Sequence, residues 1–177
     1  NVALRSGNLE TPVAVVPEWF NPKIATNENK KPLGLNIKTK FNFLLVGMTT
    51  GMTSEEDRKN IFNTIKWFCE AFDGNKNVGL IVKTGHGRGT KIDKKLTLDL
   101  MKRTVGSVRK DNFPRIHVVH GNLHDEEIAS MYYNKKIKCF ISATRGEGYG
   151  LPLIEAAAAG LPIITTGWSG HMDFLSE

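Results

Sequence analysis

The chain lacks any apolar run approaching the roughly 18–20 residues that cross a bilayer, and its longest candidates are broken by Pro, Gly or charge. A transmembrane helix is therefore excluded. Cysteine is scarce as well, with two in 177 residues. Cys69 falls in a helical pattern and Cys139 among the strand residues 137–141, so each reads as a small buried hydrophobe rather than half of a disulfide. A reducing, cytoplasmic setting is the expectation. His117, His120, His124 and His171 are scattered without the paired spacing of a zinc site, and acidic clusters are absent, so no metal is expected. No Ser/His/Asp or Cys/His set has spacings that support a hydrolase. An initiator Met and a signal-peptide pattern are missing, and residues 173–177 stop where a helix is starting. The expectation is a piece of a longer protein.

What is present is an ordinary globular composition, 40% hydrophobic, with a basic balance of 24 Lys and Arg against 18 Asp and Glu. The net charge of +6 comes from dispersed pairs such as Lys94-Lys95, Lys102-Arg103 and Arg109-Lys110. Most of them read as solvated helix faces. Such a balance suits phosphate-bearing ligands, nucleic acid or an anionic membrane surface without choosing among them. No nucleic-acid motif or aromatic-basic interleaving is found, so nucleic acid is not an expected partner; a peripheral membrane contact stays open.

Short apolar runs alternate with helical patterns, which is how parallel βαβ units read in sequence. Strands are predicted over residues 13–16, 41–46, 78–82, 116–119, 138–142 and 162–165, and their continuous apolar character indicates burial on both faces. Thr53-Ser-Glu-Glu56 reads as a capping box opening the first helix, with Ile61, Ile65, Phe68 and Phe72 as its apolar stripe and Asp73-Gly74 as its end. The second helix is predicted over residues 92–108, and a third follows Asn122-Leu-His-Asp125. Residues 17–40, rich in Asn, Pro and Lys, read as a long connector. The expected architecture is α/β: residues 1–40 form the end of a preceding domain with a linker strand and loop, and residues 41–177 a Rossmann-like parallel sheet with helices on both faces.

The most informative stretch is Ile141-Ser-Ala-Thr-Arg-Gly-Glu-Gly-Tyr-Gly-Leu-Pro-Leu-Ile-Glu-Ala-Ala-Ala-Ala-Gly160, which reads strand, glycine loop, helix. Pro152 suits a first helical turn, Ala156 to Ala159 favour the helix, and Gly160 suits its end. Gly146, Gly148 and Gly150 let the backbone approach a ligand, and free N–H groups at a helix start favour a phosphate. Two carboxylates add a constraint. Glu147 lies in the loop and Glu155 about one turn into the helix, so both can face the crevice where ligands bind in open α/β sheets. Carboxylates repel phosphate, and they belong there as acceptors for hydroxyl groups flanking it. Alone, each has a plain structural reading: Glu155 as a helix-dipole carboxylate, Glu147 as a solvent-facing loop residue. Arg145, or Arg58 and Lys59, could supply the balancing positive charge. Thr84-Gly-His-Gly-Arg-Gly89 resembles a second anion loop but is expected to lack a helix directly after it, and His120 ends a strand where a base contact is possible. Trp168 is expected in the core.

Glu147, seven residues and Glu155, inside Gly-Glu-Gly-Tyr-Gly-Leu-Pro-Leu-Ile-Glu-Ala, resembles the donor-site motif of retaining glycosyltransferases of the GT-B fold, of the glycosyl transferases group 1, family 4 type. The likeness continues into Gly160-Leu-Pro-Ile-Ile-Thr-Thr-Gly-Trp-Ser-Gly170 and back through residues 119–128, and covers roughly residues 10–177 as the family's C-terminal half. The resemblance implies Glu155 on the ribose of a nucleoside-diphosphate sugar and Glu147 on its hexose. It also implies Gly148, Tyr149, Gly150 and Leu151 along the diphosphate, and Lys59 stabilising the charge of the departing nucleotide. The sugar nucleotide is then a substrate, and no cofactor is implied. One departure is Gly47 followed by Met48, where many relatives carry Arg; Arg58, Arg145 or the backbone of residues 47–51 would have to compensate. The family's N-terminal acceptor domain has no counterpart in these residues, so the chain is expected to bind donor and transfer poorly or not at all. The alternative reading is a non-catalytic nucleotide- or glycan-binding module.

Overall fold

A computed structural model describes residues 7, 12–14, 16–24 and 31–175. Five strands, β1 (Phe41–Val46), β2 (Val78–Thr84), β3 (Arg115–His120), β4 (Ile137–Ser142) and β5 (Ile163–Thr165), form one sheet in the order β3-β2-β1-β4-β5. Every neighbouring pair is parallel. Four helices connect them in sequence: α1 (Ile61–Ala71), α2 (Lys91–Gly106), α3 (Asp125–Tyr132) and α4 (Leu151–Ala158). A 3-10 turn, Gly170–Asp173, follows β5.

Side-chain alternation along the strands explains the two layers. Phe43 and Leu45 of β1, with Leu80 and Val82 of β2, meet Ile61, Ile65 and Phe68 of α1 and Met101 and Val105 of α2. The opposite residues, Leu44, Ile81 and Phe140, meet Met131 and Tyr132 of α3 and Leu153 and Ala156 of α4. Each fully buried apolar side chain contributes about 1.5–3 kcal/mol relative to exposure, so two such cores hold both faces closed. The inner strands are buried on both faces as their composition implies. Burial on both faces does not extend to β3 and β5, which are edge strands and stay partly exposed.

Three expectations about elements are corrected. No strand forms at residues 12–14 or 16; Val13 and Val16 are exposed, and Val15 lies outside the described residues. Pro12 and Pro17 bracket this run and remove the donors that a ladder needs. Thr53 to Glu56 do not open α1: the Thr53 hydroxyl accepts from the Glu56 N–H (3.4 Å), but around an isolated turn. The helix starts at Ile61, after Asn60 in the left-handed conformation (φ 56°). The loop after β2 does lead straight into a helix, because Thr90 and Asp93 make a reciprocal cap: the Asp93 N–H donates to the Thr90 hydroxyl (3.2 Å) and the Thr90 N–H to the Asp93 carboxylate (2.9 Å).

The connector between residues 17 and 40 is anchored at a few points while most of its described residues are exposed. Ile24 and Ile37 are buried in the second core, and the Lys136 ammonium donates to the Ile37 carbonyl (2.5 Å). Residues 25–30 of that connector lie outside the described residues. Within β1, buried Asn42 donates to the Thr39 and Lys136 carbonyls (3.1 and 2.9 Å). A Cβ at Gly79 would strike the Asn42 side-chain oxygen and the Thr39 hydroxyl and press on the Arg115 carbonyl. Gly79→Ala is expected to cost about 1–3 kcal/mol of stability through overpacking. Chemical denaturation checks this; a variant as stable as the parent would show that the strands can part there.

Candidate functional site

The strand order reverses at β1 and β4, whose next neighbours lie on opposite sides, and in open parallel sheets the crevice at such a switch point is where ligands bind. The loops leaving β1 and β4 meet there. The Arg145 N–H donates to the Arg58 carbonyl (2.9 Å) and the Asn60 side-chain amide to the Ala143 carbonyl (2.9 Å). The Arg58 guanidinium donates to the Gly146 carbonyl, and that of Arg145 to the Glu55 carbonyl (2.7 Å). Two loops distant in sequence are thus laced together by backbone and side-chain bonds.

Asp57 organises the first of these loops. Its fully buried carboxylate accepts from the Ile61 and Phe62 N–H groups (2.6 and 3.4 Å) and from the Thr50 hydroxyl (3.3 Å), doing the capping that Asn60 does not. Arg58 and Lys59 follow it directly and are held at the crevice. The Lys59 ammonium donates to both carboxylate oxygens of Glu147 at 2.6 Å, and the Arg58 guanidinium stands 3.7 Å from one of them. The Glu147 side chain is 8% exposed, so it is no solvent-facing loop residue. Lys59 is not on a helix either; it precedes α1.

Ser169 braces the other side of this loop: its hydroxyl accepts from the Glu147 N–H (2.9 Å) and donates to the Glu147 carbonyl (2.8 Å). Gly170 packs so closely that a Cβ there would run into the Gly148 backbone. Gly150, at φ 95°, makes the left-handed turn into α4, with Pro152 in the first turn. His171 is fully buried behind that turn, its Nε2 donating to the Thr166 carbonyl (2.8 Å). The Tyr149 ring rests on Phe174, with centroids 5.1 Å apart, and Leu151 begins α4 half-exposed. Trp168, expected in the core, is 58% exposed beside Gly146, because β5 is an edge strand and the loop after it runs over the surface.

Glu155 sits past the first turn of α4 and faces α3. It lines a cavity of about 190 Å³ with Val46, Lys83, Ile128, Met131, Tyr132 and Pro152. The Tyr132 hydroxyl donates to its carboxylate (2.8 Å). Burial raises the Glu155 carboxyl above its ordinary value of 4.5, an effect the Tyr132 bond opposes and the Asp125 charge reinforces. Glu155 lies past the first turn of α4, half-buried and bonded to Tyr132, so a dipole interaction at the helix start does not by itself describe its surroundings. A larger cavity, about 630 Å³, runs along β5 past Gly160, Pro162 and Leu175, away from Glu155 and Glu147.

The structure therefore gathers Arg58, Lys59, Arg145 and Glu147 into one cluster and sets Glu155 in a separate pocket toward α3. Gly47 adjoins the cluster, with the Lys59 side chain passing 3.6 Å from where its Cβ would be, and its N–H donates to the Lys83 carbonyl (3.0 Å). The Thr49 N–H is likewise used, on the Gly85 carbonyl (3.2 Å), so the 47–51 backbone is partly committed to the fold. His120 ends β3; its Nε2 is buried without a partner and its pKa is lowered by burial and by the Lys94 charge. Among the described residues no three His, Cys, Asp or Glu side chains gather as a metal site, and no helix is long and apolar enough to cross a membrane. Asp57, Tyr132 and Ser169 are absent from the residues that sequence reasoning selects. Asp57 alone left a trace, an acid just ahead of an Arg-Lys pair and the apolar stripe.

Residues 103–177 match the family model described as Glycosyl transferases group 1. The serotype-specific mannosyltransferase WbdA of Escherichia coli is 49% identical over 43 residues, a stretch covering 24% of this chain and 5% of that protein. The chain therefore matches only a small part of that relative. Among solved structures, the C-terminal domain of a glycosyl transferase group 1 family protein (LpcC) from Francisella tularensis aligns with a TM-score of 0.50 at 18% identity. That alignment covers 80% of this chain and 65% of the other. An E. coli structure described as trehalose-6-phosphate bound with UDP-2-fluoro glucose aligns with a TM-score of 0.53 at 12% identity, over 77% of this chain and 31% of that one. At these identities the structural likenesses speak for the fold alone. Residues 103–177 thus resemble the sequence model of glycosyl transferases group 1, and the parallel sheet has the fold of GT-B glycosyltransferase structures.

Proposed function

We propose that the chain is the donor-binding half of a retaining, metal-independent hexosyltransferase, holding a nucleoside-diphosphate sugar in the crevice between the loops after β1 and β4. The observation that carries the reading is the pairing of a glycine loop at the start of α4 with two carboxylates in different surroundings. Glu155, half-buried and steadied by Tyr132, suits a ribose diol; Glu147, beside two cations, suits a hexose hydroxyl next to phosphate. The backbone of Gly148, Tyr149, Gly150 and Leu151 leads into the helix start, where N–H groups and the dipole favour a diphosphate. Lys59 would pass from Glu147 to the phosphates as charge grows on the leaving nucleotide. The E. coli structure solved with UDP-2-fluoro glucose shares this fold, and WbdA is a mannosyltransferase. Both relations favour a sugar nucleotide over a free glycan.

In this reading transfer takes place between two domains, and residues 1–177 supply the donor side. Calorimetric titration of the chain with ADP, GDP, UDP and their sugars is expected to find one diphosphate family that binds, while sugar transfer by the chain alone stays below detection. Failure of every nucleotide to bind would remove the reading. Buried, unpaired Cys69 and Cys139 are in keeping with a cytoplasmic setting. The exposed lysines of α2, Lys91, Lys94, Lys95 and Lys102, would serve a peripheral contact with an anionic membrane.

A further inference from the structure

We infer that Lys83 is a further donor-binding residue, sharing the Glu155 cavity and taking the anionic part of a bound nucleotide. The inference rests on the donor-binding reading above. Lys83 is the penultimate residue of β2, pairs with Val46 of β1, and accepts the Gly47 N–H on its carbonyl. It therefore sits one strand from the switch point, at the end where the crevice opens. Alternation places its side chain on the same face as Ile81, toward α3 and α4, where it lines the cavity with Tyr132, Pro152 and Glu155.

The other cations at the crevice are engaged: Lys59 and Arg58 by Glu147, and Arg145 by the Glu55 carbonyl. The Lys83 ammonium has no hydrogen bond or ion pair with any described residue. It is half-buried, and burial draws its pKa below the usual lysine value. Its charge is felt at His120, alongside those of Lys94 and His86, and Asp93 is the one acid in that group, already bound at the α2 cap. A partly desolvated ammonium that makes no bond to a partner is unfavourable for the empty fold. An anion arriving from the crevice would offset that cost. An ammonium only donates hydrogen bonds and a carboxylate only accepts them, so Lys83 and Glu155 on one cavity select a ligand carrying both hydroxyls and phosphate.

The test compares the chain with Lys83→Met and Lys83→Arg. Titration by NMR, which reads millimolar as well as micromolar affinities, would use ADP, GDP, UDP and the matching nucleosides, with melting curves taken without ligand. For the diphosphate that binds best, Lys83→Met is expected to weaken binding about tenfold, the scale of one charge-assisted contact, while the nucleoside changes less than about twofold. Lys83→Arg should stay within roughly threefold of the parent. The melting temperature of Lys83→Met should hold or rise by a few degrees, since an unpaired buried charge is removed. Equal losses for diphosphate and nucleoside, no loss for either, or a lowered melting temperature would overturn the Lys83 role and leave the donor-binding reading standing. A parent chain that binds none of the ligands would instead remove both.

Discussion

Glu155→Ala is expected to lower nucleotide affinity by at least about 100-fold, the low end for losing a carboxylate that, in the proposed mode, accepts from two ribose hydroxyls at roughly 1.5–3 kcal/mol per charge-assisted bond. The effect should appear equally for the diphosphate and the nucleoside, because the proposed contact is to the sugar of the nucleotide. Glu155→Gln separates binding from folding. Its amide oxygen still accepts from the Tyr132 hydroxyl, and neutralising a group whose ionised form is penalised by burial should leave stability unchanged or raise it. A Gln variant that binds like the parent would place the ribose elsewhere.

In the proposed mode the same carboxylate is expected to set the pH dependence of binding. Acceptance from two hydroxyls needs the ionised form, and burial raises the Glu155 pKa from its ordinary 4.5. Affinity is thus full well above the raised value and is lost as pH falls through it, beginning at a higher pH than a solvated carboxylate would show. Tyr132→Phe removes the hydrogen bond that lowers this pKa, so the loss should begin at a still higher pH. Titration across pH with both proteins reads this directly, and identical profiles would mean that another group governs binding.

The central strands were legible because a parallel sheet covered on both faces needs unbroken apolar runs, and residues 41–46 were read at their observed limits. The turn into α4 was equally plain: Pro152 and Gly160 mark positions where few residues fit. The same apolar-run logic failed at Val13 to Val16, where flanking prolines deny pairing, and for Trp168, whose surroundings depend on which strand lies at the edge. Thr53 to Glu56 misled because a capping box is a local signal. It describes bonds that do form around a turn, while the helix start is decided by Asp57 through contacts reaching four and five residues ahead. Of the site, the glycine loop and its two acids were visible as a motif. The engagement of Glu147 by Lys59 and of Glu155 by Tyr132 depends on residues 88 and 23 positions away, brought close only by the sheet order.

Asp57→Ala is expected to remove about 3 kcal/mol of stability, combining a lost cap of up to about 2 kcal/mol with a lost anion at a helix start, worth up to about 2 kcal/mol when buried. At roughly 2–4 °C per kcal/mol for a chain of this size, the melting temperature should fall by about 10 °C. Asp57→Asn keeps one acceptor oxygen and the shape but not the charge, so its loss should be about half as large. Thermal unfolding followed by circular dichroism checks both. If Asp57→Ala melts within about 2 °C of the parent, the Ile61 and Phe62 N–H groups find other partners and Asp57 does not set the start of α1. Where the loss occurs, it should reach the crevice as well, because Arg58 and Lys59 follow Asp57 directly and the Arg58 carbonyl holds Arg145 in the facing loop. One buried carboxylate then links the first turn of α1 to the placement of the cations around Glu147.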